Sequence, residues 1–394
     1  MIFFIVDERL GIELPDRPNP AILAAMNPTK LVSVALVVAC ECLALSVPSA
    51  ADDSAASIAA GGLVPRRETR IVMAKEVLRI SPTKIVVDYE FRNDSDQDVT
   101  TEVAFPIPPY KNEFPEGDIQ SQSFKTFHPW VEGKPVHYES EVKATLNGKD
   151  VTGLLEADHI DIPTFGHFDD TTEDAQGVGQ VLVPDLTRLS KPVQSRLIKE
   201  GLFEDQGGVL FSLYTVHLQY HWTQTFPAHS TVRIHHEYPP VVGFEMMPVE
   251  TFKNSSHHTE PGGNDESARG QRDDIKFLNS FCPDPPLLRS AIHSIENVPA
   301  ESGPYAYPRW IDFILTSANT WKQPIEDFTL IVERGRSEVE NAHTLVSFCT
   351  PQNAVVEKLD ADHFQVHLTN FIPASELHIG FFDLPEARAA PKQK

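Results

Sequence analysis

The sequence has 394 residues, with 56 acidic and 33 basic side chains and a formal net charge of −23. A surface of this sign repels phosphate backbones, which argues against a nucleic acid as partner. The 32 prolines favour many short strands joined by stiff turns over a helical protein.

A secretory signal is predicted over residues 26–51. Lys30 precedes an apolar run, small residues follow that run, and we predict cleavage after Ala51. Glu41 interrupts the apolar run, which argues against a stable transmembrane span. The mature chain is therefore expected to be exported, to the periplasm or beyond it.

Two further features of the N-terminus affect how the chain begins and whether it is anchored. Residues 1–25 precede a normal start at Met26, so we predict that they are a mis-assigned start. Cys40 ends the stretch "VVAC", which resembles a bacterial lipobox. The alternative to a cleaved signal is therefore a lipoprotein anchored to the membrane through Cys40. The residues after Cys40 remain apolar, which favours a continuing signal segment.

The first folded segment is predicted to be a β-hairpin over residues 84–106. In "KIVVDYEFRN" apolar and polar residues alternate, which is typical of a half-buried antiparallel strand. The polar stretch "NDSDQD" favours a turn, and alternation resumes from Val99 until prolines end the pairing. A second hairpin is predicted over residues 210–240 by the same pattern.

Between these hairpins the sequence predicts an acidic loop and one helix that begins after Ser190 and stops at Gly201. Residues 251–275 contain few apolar side chains and are predicted to be a flexible polar linker. A short helix is expected to begin at Asp284–Pro285, and strand patterns return from Arg309.

These elements predict a mainly β fold made of two β-sandwich-like, immunoglobulin-like units with short connecting helices. The N-terminal unit covers 52–250, including the acidic loop and helix, and the C-terminal unit covers 276–388 with its short leading helix. Residues 389–394 form a tail. Cys282 and Cys349 remain after signal cleavage, and a pair of cysteines in an exported chain most often forms one disulfide.

Several stretches resemble a bacterial exported family known as domain-of-unknown-function 4424. They include "AGGLV", "ISPTKIVVDYEFRNDSDQDVTTEVAFPIP" and "LYTVHLQYHWTQTFPAHSTVRIHHEYPPVVG". The resemblance implies an exported, mostly β protein with cysteines at positions 282 and 349, and no established activity. "FPIP" followed by "VEGKPV" is also similar to the β-sandwich (VIT) domain of inter-alpha-trypsin inhibitor heavy chains, which concerns architecture only.

Histidines and carboxylates suggest a divalent metal, although no cofactor is predicted. His221 and His235 are expected to face each other across the second hairpin, at about 5 Å between their β-carbons. A second set lies in the acidic loop and consists of His159, His167, Asp169 and Asp170. Solvated side chains are the simpler interpretation of both sets.

No G-x-S-x-G, H-E-x-x-H or phosphate-binding glycine motif occurs in the sequence. The leading hypothesis is a non-catalytic exported binding or scaffold protein of the cell envelope, with an unidentified envelope protein or ligand as partner. One alternative is a metal-dependent hydrolase. Another is a carbohydrate-binding module that uses tryptophans from the set Trp130, Trp222, Trp310 and Trp321.

Overall fold

The computed structural model describes residues 54–59, 62–111, 117–119, 127–163, 168–173, 179–181, 189–206, 209–259, 261–263, 265–297, 304–335 and 342–385. Within these ranges the chain is mainly β with a few short helices, as the sequence predicts. The signal segment, Cys40 and Ala51 lie outside them. None of the described helices is long and apolar enough to cross a membrane.

Three large sheets contain most of the strands, and we name them sheets I, II and III. Sheet I has the order β22 (Glu357–Lys358), β23 (His363–Phe371), β20 (Ile325–Glu333), β3 (Ile71–Ser81), β4 (Lys84–Asn93), β16 (Ser230–Tyr238), β7 (His128–Val131) and β8 (Lys134–Pro135). Sheet II has the order β10 (Lys149–Asp150), β9 (Glu139–Leu146), β15 (Thr215–Phe226), β5 (Val99–Pro106), β1 (Ser54–Ala59) and β2 (Gly62–Pro65). Sheet III has the order β21 (Ala342–Phe348), β24 (Leu377–Pro385), β19 (Tyr305–Phe313), β17 (Val242–Phe244) and β6 (Gly117–Ile119), and β18 (Met247–Pro248) also pairs with β19.

Two small ribbons and the helices complete the described elements. The ribbons pair β11 (Phe168–Glu173) with β12 (Gly179–Val181) and β13 (Phe203–Gln206) with β14 (Val209–Ser212). The α-helices are α1 (Thr152–Ala157), α2 (Lys191–Lys199), α3 (Val249–His257), α4 (Glu266–Ser280) and α5 (Pro285–Glu296), and short 3-10 turns cover Thr316–Thr320 and Pro351–Asn353.

The strand pairs predicted as hairpins instead cross between sheets. β4 lies in sheet I and β5 in sheet II, and β16 and β15 are divided between the same two sheets. An alternating pattern buries one face of each strand whether two strands pair side by side or face each other across a core. The hairpin predictions were therefore wrong, and each polar turn is a corner between two layers of a sandwich.

One hydrophobic core joins the three sheets. It contains Tyr89 of sheet I, Phe105 of sheet II and Phe313 of sheet III, and the rings of Phe105 and Phe313 lie 6.3 Å apart. β20 also pairs in parallel with β3, so sheet I combines strands from both halves of the chain. The boundary predicted between 52–250 and 276–388 therefore does not divide the core.

The flexible linker predicted over 251–275 is largely helical, which corrects the prediction. α3 and α4 cover most of it, and the Asp265 side chain caps α4 by accepting from the Ala268 amide. Phe252 and Leu278 are fully buried in a cluster with Phe382 of sheet III. A few apolar residues at helical spacing bury one narrow face, so low apolar content did not indicate disorder here.

The other predicted helices are present. α2 begins directly after Ser190. Gly201, whose φ is 72°, lies just beyond the last turn of this helix. α5 begins at Pro285, and the Asp284 side chain accepts a hydrogen bond from the Leu287 amide. The ends of these helices could be predicted from the sequence because capping interactions are local.

His236 lies within the core between sheets I and II. Its ring is fully buried, with the rings of Phe105 and Phe127 at 4.9 and 5.1 Å and that of Trp222 at 5.4 Å. Burial, with a smaller contribution from the nearby charge of His235, lowers the pKa of His236 to about 3. The imidazole is therefore neutral in the folded protein throughout the physiological range.

This burial predicts that stability falls as the pH drops. Below about pH 6.5 the unfolded chain binds a proton at His236 that the folded chain does not bind until about pH 3. Between pH 7 and 5 this residue should therefore remove about 2 kcal/mol from the free energy of unfolding. In urea titrations, His236→Phe should lose this part of the pH dependence, and His229→Gln, which changes an exposed histidine, should keep it. An unchanged pH dependence in His236→Phe would contradict the prediction.

Gly243 on β17 lies directly against a tryptophan of the neighbouring strand. A β-carbon at Gly243 would come within 1.9 Å of the Trp310 ring. Overpacking typically costs about 1–3 kcal/mol, so Gly243→Ala should destabilise the protein by at least that range in urea unfolding. Gly262→Ala is the matched control, because a β-carbon there meets no atom within 4 Å. Equal stability of the two variants would rule out this packing.

Candidate ligand-binding groove

A groove of about 370 Å³ crosses the outer face of sheet I. It runs over β3, β4 and β16 to the turn between β7 and β8. The side chains that define it are Lys75, Val77, Asp88, Glu90, Trp130, Arg233 and His235.

The strand register brings these side chains together in two rows. In the first row Val77 lies opposite Asp88, Asp88 opposite His235, and His235 opposite Trp130. Because side chains two apart on a strand share a face, the positions two residues from Val77, Asp88 and His235 form a second row parallel to the first. This second row consists of Lys75, Glu90 and Arg233.

Asp88 is the centre of the first row. The Nδ1 atom of His235 donates to one carboxylate oxygen at 2.7 Å, and Arg79 donates to the other at 2.6 Å. Burial raises the pKa of Asp88, but these two hydrogen bonds outweigh that effect and its pKa is lowered overall. Because Nδ1 donates, the Nε2 atom of a neutral His235 is a hydrogen-bond acceptor.

The second row keeps more of its hydrogen-bonding capacity. Arg233 approaches Glu90 with Nε at 3.4 Å, and two-thirds of the Arg233 side chain is exposed. Lys75 makes no ion pair with any residue in the described ranges. The side chains that line the groove therefore carry both signs of charge, with Lys75 and Arg233 beside Asp88 and Glu90.

Trp130 closes one end of the groove. Its ring lies 5.1 Å from that of His235, and β7 continues into a tight turn at Glu132 and Gly133 with φ of 48° and 72°. The Glu132 carboxylate accepts a hydrogen bond from the Arg233 amide at 2.7 Å. These contacts attach the turn, and with it the indole, to the edge of β16.

Comparison with family models identifies the relationship of the chain. The model of the family described as "Domain of unknown function (DUF4424)" matches residues 51–379. The chain belongs to the DUF4424 family. No curated protein matches this DUF4424 sequence significantly.

Two solved structures show remote similarity to this DUF4424 protein. A Legionella pneumophila protein, provisionally described as a nutrient binding protein, is 13% identical, with 84% of this chain and 70% of that chain covered and a TM-score of 0.37. An M1 zinc metallopeptidase from Deinococcus radiodurans is 8% identical, with 80% of this chain and 43% of that chain covered and a TM-score of 0.20. At these TM-scores neither similarity indicates a shared fold or function.

The DUF4424 fold does not bring His221 and His235 together. His221 lies on the outer face of sheet II, where its Nδ1 atom is 2.7 Å from the Glu102 carboxylate. His235 lies on the outer face of sheet I, and the core separates the two faces. The predicted pair was therefore wrong, because β15 and β16 belong to opposite layers and not to one hairpin.

The acidic-loop residues show no metal site in the described part of the chain. His159 is exposed just after α1, with φ of 58°. His167 lies outside the described residues, and so do the side chains of Asp169 and Asp170 on β11. Among the described residues no group of three histidines, cysteines or carboxylates is placed to hold a metal ion. Metal binding by this loop stays a prediction.

The four tryptophans do not form one platform. Trp222 and Trp321 are buried, at 4% and 1% exposure, in the main core. Trp310 packs against Phe277 of α4. Trp130 is the member of the set that lines the groove, and the sequence did not distinguish it because its neighbours His235 and Asp88 are remote in the chain.

The predicted disulfide is present. Cys282, just after α4, is joined to Cys349, just after β21, with their α-carbons 5.0 Å apart. The link connects the helical layer of this DUF4424 protein to sheet III. It lies outside the groove, which is built on sheet I.

Proposed function

We propose that this DUF4424 protein is an exported, non-catalytic binding protein that holds its ligand in the groove of sheet I. The observation that carries the proposal is the placement of complementary charged side chains and one indole across four hydrogen-bonded strands. A sheet holds such side chains in nearly fixed positions, so little conformational entropy is lost when a ligand binds.

The chemistry of the groove favours binding over catalysis. Asp88 is held ionised by Arg79 and His235, which makes it a poor proton donor at neutral pH. No serine, threonine or cysteine occurs among the described residues that line the groove, so no side-chain nucleophile of these types is placed there. The charged side chains instead offer hydrogen bonds at fixed positions.

Two features support export. The sequence carries the predicted signal over residues 26–51, and the Cys282–Cys349 disulfide suits an oxidising compartment outside the cytoplasm. On this proposal the partner is a component of the cell envelope or a ligand that reaches it.

Photocrosslinking in intact cells tests the proposal. The photoreactive residue p-benzoylphenylalanine is placed at Lys75, at the rim of the groove, and in a control at Val355, which is 87% exposed and does not line the groove. We expect a light-dependent product at position 75 that is absent at 355, on a chain whose N-terminus is Asp52. Identical products at both positions would contradict binding in the groove, and a retained signal segment would contradict export as proposed.

A further inference from the structure

We infer that the ligand of this groove is a short, uncharged saccharide, one ring of which stacks on Trp130. This inference rests on the proposed binding function and adds the chemical class of the ligand. Its basis is the combination of side chains of both charges, hydrogen-bond donors beside acceptors, and one accessible indole in a groove of about 370 Å³.

The mixed charge of the groove favours an uncharged ligand. Lys75 and Arg233 lie beside Asp88 and Glu90, so a charged ligand placed across the groove meets side chains of its own sign whether it is an anion or a cation. The whole chain carries a formal net charge of −23, which repels polyanions over a longer range. A neutral ligand meets neither penalty.

The position of the groove favours recognition by side chains over pairing with a peptide backbone. β3, β4 and β16 each have a hydrogen-bonded strand on both sides, and β7 lies between β16 and β8. Their backbone groups are therefore occupied within the sheet, and an extended peptide finds no free strand edge at the groove. A ligand here must satisfy the side chains alone.

Sugar hydroxyls match what those side chains offer. Each hydroxyl both donates and accepts a hydrogen bond, while Lys75 and Arg233 donate and Glu90 accepts. The apolar face of a sugar ring fits against an indole, and binding sites commonly join an aromatic surface to a few placed polar groups. Trp130 stands at the end of the row that contains Asp88 and His235, so both kinds of contact are available to one ligand.

Titration calorimetry of the purified mature protein tests the inference. The probes are the neutral trisaccharides cellotriose, chitotriose and maltotriose, with trigalacturonate as a charged counterpart of similar length. We expect at least one neutral trisaccharide to bind more tightly than trigalacturonate. Trp130→Ala should weaken that binding by about tenfold or more, and Trp130→Phe should retain most of it.

Val355→Ala is the control, because Val355 is 87% exposed and does not line the groove. Its affinity should equal that of the unaltered protein, and melting curves establish that all variants are folded. The inference is overturned if none of the neutral trisaccharides binds, if trigalacturonate binds more tightly, or if Trp130→Ala binds as well as Val355→Ala. A protein captured by the crosslinker at Lys75, without saccharide binding, would leave the proposed function standing and remove this inference.

Discussion

Arg309→Met is expected to lower the free energy of unfolding by about 3–5 kcal/mol. Arg309 on β19 and Asp383 on β24 form an ion pair at 2.8 Å, and both side chains are almost completely buried. Thr344 on β21 donates a hydrogen bond to the Asp383 carboxylate at 2.6 Å. Removing the guanidinium leaves a buried carboxylate without its counter-charge, and equilibrium unfolding in urea measures the loss.

The double variant Arg309→Met/Asp383→Leu separates the cost of an unpaired charge from the value of the pair. Replacing both partners with apolar residues removes the uncompensated charge, so the double variant should be clearly more stable than Arg309→Met alone. If the two variants were equally unstable, lost packing and not the buried charge would be the cause. The single variant would then say nothing about electrostatics in sheet III.

Replacing both cysteines is expected to produce the other large effect. The bond between Cys282 and Cys349 spans 67 positions of the sequence. In the chain-entropy model, closing a loop of that length stabilises the folded state by roughly 4 kcal/mol, and losses of about 2–5 kcal/mol are typical. Cys282→Ser/Cys349→Ser should therefore unfold at a markedly lower urea concentration than the oxidised protein.

Dithiothreitol provides the control for this variant. The reductant should lower the unfolding midpoint of the unaltered protein towards that of the double-serine variant, and it should leave the variant unchanged. An unaltered protein that unfolds at the same midpoint with and without reductant, as measured after its thiols are shown to be free, would contradict a stabilising disulfide.

The strand-rich character was predictable because it depends on local patterns. Alternation in residues 84–93 and 230–238 marks strands with one buried face, and the structure places β4 and β16 there. The partner of each strand was not predictable in the same way. β4 pairs with β3 and β16, and the second of these lies more than a hundred residues away in the chain.

The helices show how far composition can mislead. The stretch over 251–275 contains mostly polar residues, yet α3 and α4 pack there through Phe252 and Leu278. Their stability depends on a surface offered by sheet III, which includes Phe382 from the far C-terminal part of the chain. No local pattern in residues 251–275 predicts that sheet III will supply this packing surface.

The groove depends on tertiary structure most of all. Trp130 and His235 were each visible in the sequence as candidates, but for different sites, and Lys75, Asp88 and Arg233 drew no attention. Their segments are far apart in the chain and meet because neighbouring strands of sheet I align residue by residue. A shift of one residue in any register would turn the side chains of that strand to the core.

The sequence by itself determined what short-range physical chemistry controls. This includes the alternating strands, the capped starts and ends of helices, the acidic surface and the one pair of cysteines predicted to be oxidised. Only the tertiary structure decided that consecutive strands would become opposite layers, that both halves of the chain would share sheet I, and that one of four tryptophans would line a groove. Period-two alternation specifies which face of a strand is buried but not what covers it, and that choice follows from long-range packing of the whole core.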